Sequence, residues 1–266
     1  MALAFMFRIG ATRRLLPARY APRRGRRGSV HRLRADGDGG GTAVTLKIYD
    51  VEQGSQEWHD VRRGIVTASV MGKLITPKTI KPADNDYSRD LTRIIAAERL
   101  TGFTEPTFIS ADMWRGIDDE PRARAKYAEH YAPVTEVGFI VEEMCGVRIG
   151  YSPDGLVGDD GLIEIKSRRA KAQLATILSG TVPLENMAQL QCGLLVSGRE
   201  WIDYVSFCSG MPLFVKRVYP QRDWFEAIRD ATQALEERVS EIILLYNAAV
   251  VGLHMTERIV ETEIVL

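Results

Sequence analysis

Tyr151 to Arg169 reads YSPDGLVGDDGLIEIKSRR, and the fold turns on how this stretch is arranged. Gly158-Asp159-Asp160-Gly161 has the composition of a hairpin connection, and the apolar run Leu162 to Lys166 after it reads as a strand. Side chains alternate faces along a strand, so Glu164 and Lys166 point one way while Ile163 and Ile165 point into a core. Asp154 lies on the preceding arm, where the hairpin can fold it back beside Glu164. Two carboxylates and one ammonium then meet on a rigid sheet.

Such a grouping has a chemical use. Two carboxylates with room for water suit Mg²⁺, which keeps several waters and needs few protein oxygens. The ion would polarise a scissile phosphate and acidify a nearby water, with Lys166 orienting that water or steadying the developing charge. A surface hairpin with a solvated Glu–Lys pair has the same local sequence, so the stretch alone leaves both readings open.

The 266 residues suffice for one large or two small domains, and the composition is that of a soluble globular chain. The formal charge of zero hides an asymmetry. Residues 1–35 hold ten arginines and no acid, leaving 25 basic and 35 acidic residues in the rest, a net of −10. Cys145, Cys192 and Cys208 stand far apart without a C-x-x-C pair or a histidine at ligand spacing, so neither a zinc nor an iron–sulfur site is supported and a reduced, intracellular setting is favoured over a disulfide framework. No apolar run is long enough to span a membrane.

Residues 1–43 read as a disordered arginine-rich extension ending in the linker DGDGGG; Arg-rich, acid-free composition is also that of an organelle transit peptide. The folded domain is expected over 44–250, followed by a tail at 251–266. It opens with an extended segment at Val44. A short helix from Ser55 to Arg63 ends at Gly64, and a second runs through Ile75 with Thr67 as its N-cap. Ser88 is placed to cap a longer helix closed by Gly102, and another helix spans Asp118 to Tyr131 with Pro121 in its first turn. Strands are expected at Val134–Glu143, Val147–Gly150, Leu162–Lys166, Trp201–Cys208 and Leu213–Tyr219. Helices cover Leu184–Val196 and Trp224–Tyr246. This order predicts an α/β fold with one central mixed sheet flanked by helices.

Four blocks together resemble a known family. They are VEQGSQEWHDVRRGIVTAS (51–69); Trp114-Arg115-Gly116 with Glu120, Ala123-Arg124 and Tyr127; Ser152-Pro153-Asp154-Gly155-Leu156 with Leu162-Ile163-Glu164-Ile165-Lys166; and Met187-Ala188-Gln189-Leu190-Gln191. In this order they resemble the bacteriophage lambda exonuclease type of alkaline exonuclease, which has a restriction-endonuclease-like PD-(D/E)xK core. The resemblance implies that Asp154 and Glu164 are metal-binding carboxylates, that the Ile165 carbonyl completes the metal shell, and that Glu120 joins it. It implies Lys166 as the catalytic lysine, Gln189 as the glutamine beside it, and Arg62, Thr67 and Ser69 as holders of the 5′-phosphate of the degraded strand. A helix beginning at Thr67 would reinforce that last role, because free N–H groups and the positive end of the dipole favour phosphate. After Lys166 the chain departs from the family, with Ser167-Arg168 in place of a small residue and proline; Arg168, Arg169 and Lys171 are further candidates for DNA phosphates.

The expected function is therefore a Mg²⁺-dependent 5′-to-3′ exonuclease on double-stranded DNA, with Mn²⁺ able to substitute, making 3′ single-stranded tails for recombination. The resemblance also implies a homotrimer, DNA ends as substrate, a single-strand annealing protein as partner, and a cytoplasmic phage or bacterial setting, or an organelle if the arm is a transit peptide. An endonuclease of the same fold and a non-enzymatic DNA-binding protein are the rivals. The Arg62, Thr67 and Ser69 block speaks against the first, and the intact acidic and lysine set against the second.

Overall fold

The hairpin forms as its turn chemistry predicts. In the computed structural model, which describes residues 29–33, 44–106 and 108–258, β8 (Gly155–Val157) pairs antiparallel with β9 (Gly161–Ser167). Gly158 takes φ +53° at the turn, a left-handed conformation that favours glycine. β9 then runs parallel to β10 (Trp201–Phe207), with Glu164 opposite Tyr204 and Lys166 opposite Ser206, and β10 pairs antiparallel with β11 (Phe214–Val218). The order β11-β10-β9-β8 makes β9 an interior strand, so both of its edges are paired. Ile163 and Ile165 enter one apolar cluster with Tyr127 and Val205, while Leu162 joins the larger core on the other face.

A second sheet contains β1 (Ser29–Leu33), β2 (Val44–Tyr49), β3 (Val66–Thr67), β6 (Phe139–Met144) and β7 (Val147–Tyr151), in the order β1-β2-β6-β7-β3. Short strands β4 (Ile75–Thr76) and β5 (Lys81–Pro82) pair with each other. The expected central mixed sheet is thus laid down as two hydrogen-bonded pieces. The break falls at Ser152-Pro153-Asp154 between β7 and β8, where proline has no N–H to continue a ladder. Asp154 owes its position to that break.

The helices are α1 (Gln56–Arg62), α2 (Asp86–Thr101), α3 (Ala111–His130), α4 (Ala170–Ser179), α5 (Leu184–Ser197) and α6 (Arg222–Ala249). α5 and α6 cover the larger core through Leu190, Leu194, Trp224, Ile228 and Leu235. α3 covers the other face of the four-stranded sheet through Ala123 and Tyr127.

Several expectations are corrected. α3 starts two turns before Asp118, because Ser110 accepts from the Met113 N–H at 3.2 Å and supplies a better cap; Pro121 is internal. Asn85, not Ser88, caps α2, and Ser88 is its partner in a capping box. The segment after Thr67 is a six-residue 3₁₀ turn (Ala68–Lys73), and Thr67 makes no side-chain cap bond there. α4 is an additional helix: its buried residues are Gln173 and Thr176, while Leu174 and Leu178 of its apolar stripe are exposed. Gln173 bonds the carbonyls of Ser206 and Pro212 instead. Within the arm expected to be disordered, Ser29–Leu33 pairs antiparallel with β2 and covers what would be an open sheet edge. The rest of that arm and residues 259–266 lie outside the described residues. Among those described, no helix is long and apolar enough to cross a membrane.

One buried network ties α3 to the sheet. Asp203, 2% exposed, accepts the Tyr127 hydroxyl at 2.6 Å and a two-pronged contact from Arg217 at 2.8 and 2.9 Å. Asp203→Ala would strand that hydroxyl in the interior, and is expected to cost about 3 kcal/mol in urea unfolding. An unchanged urea midpoint would show that the network does not support the fold.

Candidate active site

Asp154, Glu164, Lys166 and Gln189 are brought together from three elements. Glu164 is 2% exposed, on β9. Its Oε1 accepts from Lys166 Nζ at 2.8 Å and from Gln189 Nε2 at 2.5 Å, and its Oε2 accepts from the buried Tyr151 hydroxyl at 3.0 Å. Lys166 Nζ also donates to Gln189 Oε1 at 2.9 Å, closing a triangle between the strand and α5. Asp154 Oδ2 accepts the Ile165 N–H at 2.5 Å, which pins the acid against β9.

The charges are concentrated in a poorly solvated place. Burial, and then the charges of Glu164 and Glu120, push the Asp154 carboxyl well above the usual carboxylate range. Burial also raises Glu120, partly offset by Arg124. Burial alone would lower the Lys166 ammonium, but Glu164 and Asp154 outweigh it and hold it above its ordinary value. The site therefore sets three carboxylates, Asp154, Glu164 and Glu120, against two cations, Lys166 and Arg124. Oxygen donors in excess of cations suit a hard divalent ion and not a thiolate- or imidazole-seeking one. The residues of this site fit such an ion.

Glu120 is placed differently from Asp154 and Glu164. Its carboxylate accepts from Arg124, which also donates through Nε to the Asp154 carbonyl at 2.8 Å and reaches Glu136 at 3.1 Å. Among the described residues no three His, Cys, Asp or Glu side chains converge on one point. Asp154 and Glu164 are the near pair, and Glu120 acts on them through its field and through Arg124.

A second group adjoins the first. Arg62 Nη1 and Trp58 Nε1 both donate to Ser152 Oγ, each at 2.9 Å, two residues before Asp154. The Arg62 guanidinium lies over the Trp58 ring at 3.7 Å from its centroid. Burial lowers its pKa to about 10 against the opposing charge of Glu98. Thr67 pairs with Gly150 on the neighbouring strand β7, and its hydroxyl is 3.1 Å from that of exposed Ser69. Thr67 ends β3 and Ser69 lies on a short 3₁₀ turn, so the helix-dipole argument for a phosphate there falls away. Their hydroxyls and the remaining donors of Arg62 are what could hold an anion.

Sequence reasoning missed Trp58, Tyr151 and Ser152, although Trp58 and Ser152 lay inside the quoted blocks. It also left Arg124 without a role. Ser167, where the chain departs from the family pattern, donates to Asp119 Oδ2 at 2.7 Å and accepts from Arg115 Nε at 3.1 Å, tying β9 to α3. Arg168 turns inward to Asn186 at 2.5 Å and Tyr204 at 3.0 Å, which removes it from the solvated candidates for DNA contact. Arg169 is exposed and pairs with Asp112.

Comparison with known proteins bears on this arrangement. The YqaJ-like viral recombinase domain matches residues 57–200, a span that holds every candidate residue named above. An alkaline exonuclease from Laribacter hongkongensis (LHK-Exo) is 31% identical with a TM-score of 0.66, over 75% of this chain and 100% of that one. Its complex with dAMP aligns equally well, at 31% identity and a TM-score of 0.66. A phage-related exonuclease from Haemophilus somnus 129PT shares the fold at 13% identity and a TM-score of 0.51, covering 70% of this chain and 98% of that one. No curated protein matches the chain.

Proposed function

Because the chain belongs to the YqaJ-like viral recombinase domain family, it is a deoxyribonuclease of the phage recombination type, and we propose that it degrades double-stranded DNA from the 5′ end with Mg²⁺ bound by Asp154, Glu164 and the Ile165 carbonyl. The observation that carries this reading is the closed contact of Glu164, Lys166 and Gln189 beside Asp154. The ion, when bound, supplies Lewis-acid polarisation of the scissile phosphate. Glu164 and Gln189 hold the Lys166 ammonium at a fixed position. From there it orients a water and meets charge developing on the phosphoryl oxygens. Water adds to phosphorus, the bond to the 3′-oxygen breaks, and the leaving oxygen takes up a proton. The remaining strand keeps its 5′-phosphate, so each cut regenerates the end that Arg62, Thr67, Ser69 and Ser152 are proposed to hold.

Mg²⁺ is favoured over softer metals by the all-oxygen donor set, and Mn²⁺ should substitute. A homotrimer, a single-strand annealing partner and a cytoplasmic setting follow from the family resemblance; sedimentation of the purified protein tests the first.

The decisive assay compares nucleotide release from linear duplexes with 5′-phosphate and 5′-hydroxyl ends, with Mg²⁺ and with EDTA, beside a covalently closed circle. Mg²⁺-dependent release that prefers the phosphate and spares the circle is expected. Cutting of the circle would make the protein an endonuclease and strip Arg62, Thr67 and Ser69 of their role.

A further inference from the structure

The turn after Arg62 is held by three charged side chains that lie outside the site described above. Gly64 adopts φ +69°, donates its N–H to Glu98 Oε2 at 2.7 Å, and accepts from Arg99 Nε at 2.8 Å through its carbonyl. The other two nitrogens of Arg99 donate to both carboxylate oxygens of Glu236, each at 2.6 Å. The Arg99 and Glu236 side chains are only 23% and 16% exposed, so this is a desolvated, geometrically specific pair and not a surface contact. There is no room to spare: a Cβ on Gly64 would lie 2.8 Å from Arg99 Cγ.

What the clamp holds is a short element. α1 is seven residues long and fully buries no side chain, although Trp58 and Val61 pack partly against the Ile65, Phe139 and Val141 cluster. Arg62, its last residue, is then aimed by the Trp58 ring beneath it and by polar ties at the helix end: Trp58 and Arg62 to Ser152 on one side, and the Gly64 peptide on the other. Glu98 and Arg99 stand on α2, and Glu236 stands on α6 next to Leu235, which is buried in the larger core. The clamp thus refers the Arg62 turn to α2 and α6, which both contribute to the larger core. Glu98 also supplies a negative charge that acts on Arg62.

We propose that Glu98, Arg99 and Glu236 are positioning residues for recognition of the DNA 5′ end, holding the Gly64 turn so that the Arg62 guanidinium stays against Ser152 where a terminal phosphate docks. This rests on the reading of Arg62, Thr67 and Ser69 as the phosphate holders. None of the three clamp residues touches the reacting atoms. They act on which end is chosen and leave the bond-breaking step alone.

The test measures kcat and KM for Arg99→Lys and Glu236→Gln on linear duplexes with 5′-phosphate and with 5′-hydroxyl ends, beside the wild type. Lysine keeps the charge of Arg99 but cannot bridge Gly64 and Glu236 together. Misplacing a recognition group by about 1 Å is commonly worth tenfold or more, so the preference for phosphate is expected to fall by about tenfold. The loss should appear in KM for phosphorylated ends, with the hydroxyl-end rate at its wild-type value. Should Arg99→Lys fail to fold, as judged by thermal melting, Glu236→Gln carries the test, since it leaves the Arg99 contact to Gly64 available. Folded variants that keep the wild-type preference, or that lose both rates in parallel, overturn the positioning role. A wild type with no preference for phosphate overturns the end-recognition reading itself, and this inference with it.

Discussion

Lys166→Ala is expected to lower Mg²⁺-dependent nucleotide release by about 10³-fold, with the larger part of the loss in kcat, because a preorganised donor aimed at developing charge is worth that much in a water-poor site. The ammonium stands between Glu164 Oε1 at 2.8 Å and Gln189 Oε1 at 2.9 Å, so it is held in place before any substrate arrives. An interaction that is preorganised in this way costs no rearrangement as charge builds on the phosphoryl oxygens, and its removal shows in the chemical step. The substitution also leaves Glu164, 2% exposed, without its cationic partner. The variant should therefore melt at a lower temperature than the wild type in EDTA. Duplex binding separates the two consequences. If Lys166→Ala binds a 5′-phosphorylated duplex as the wild type does and releases nucleotides about 10³-fold more slowly, the lysine acts in catalysis. A variant that keeps more than about a tenth of wild-type kcat would remove Lys166 from that role, a loss that small being more typical of a displaced neighbour.

The hairpin that carries this lysine was legible because it is a local matter. A turn of glycines and aspartates and a two-residue alternation over Leu162–Lys166 are enough to place Glu164 and Lys166 on one face, and the 2.8 Å contact between Lys166 Nζ and Glu164 Oε1 bears it out. What could not be read is what non-local packing decides. α4 turns an uncharged polar side chain, Gln173, into the interior to satisfy carbonyls of Ser206 and Pro212, which come from elsewhere in the chain. Leu174, Ile177 and Leu178 do have helical spacing, but Leu174 and Leu178 are exposed, so the apolar pattern does not mark the face that is buried. Pro121 suggested a first turn, yet Ser110 caps a start ten residues earlier; a proline inside a helix is costly but tolerated when tertiary contacts such as those of Ala123 and Tyr127 hold the helix down. Ser152 was visible as part of a motif, but its task of receiving both Trp58 and Arg62 depends on α1 crossing the end of β7. The resemblance to the exonuclease family anticipated Gln189, and the geometry explains why a glutamine suits the place: one end accepts from the lysine and the other donates to the acid.

Asp154→Asn should abolish Mg²⁺-dependent release and at the same time make the metal-free protein more stable. Asp154 is half-buried and crowded by Glu164 and Glu120, with Lys166 the cation that acts on it, so its negative charge is a cost to the folded state until a divalent ion offsets it. Asparagine keeps an oxygen to accept the Ile165 N–H and removes the charge. A rise in Tm of about 2–4 °C in EDTA is expected, the size that ~1 kcal/mol produces in a domain of this length. The pH dependence follows from the direction of the shift. A carboxyl whose folded-state pKa lies above the ordinary 3.8 binds its proton more tightly when folded. That contribution is present in full below 3.8 and is lost as pH rises through the folded-state value. The advantage of the asparagine variant over wild type should therefore be largest at neutral and alkaline pH and shrink as the solution is made acid. Mg²⁺ should reverse the order: it stabilises whichever protein binds it, which is the wild type. Equal melting temperatures for the two proteins in EDTA at neutral pH, together with equal gains from Mg²⁺, would show that Asp154 neither bears the uncompensated charge nor holds the ion.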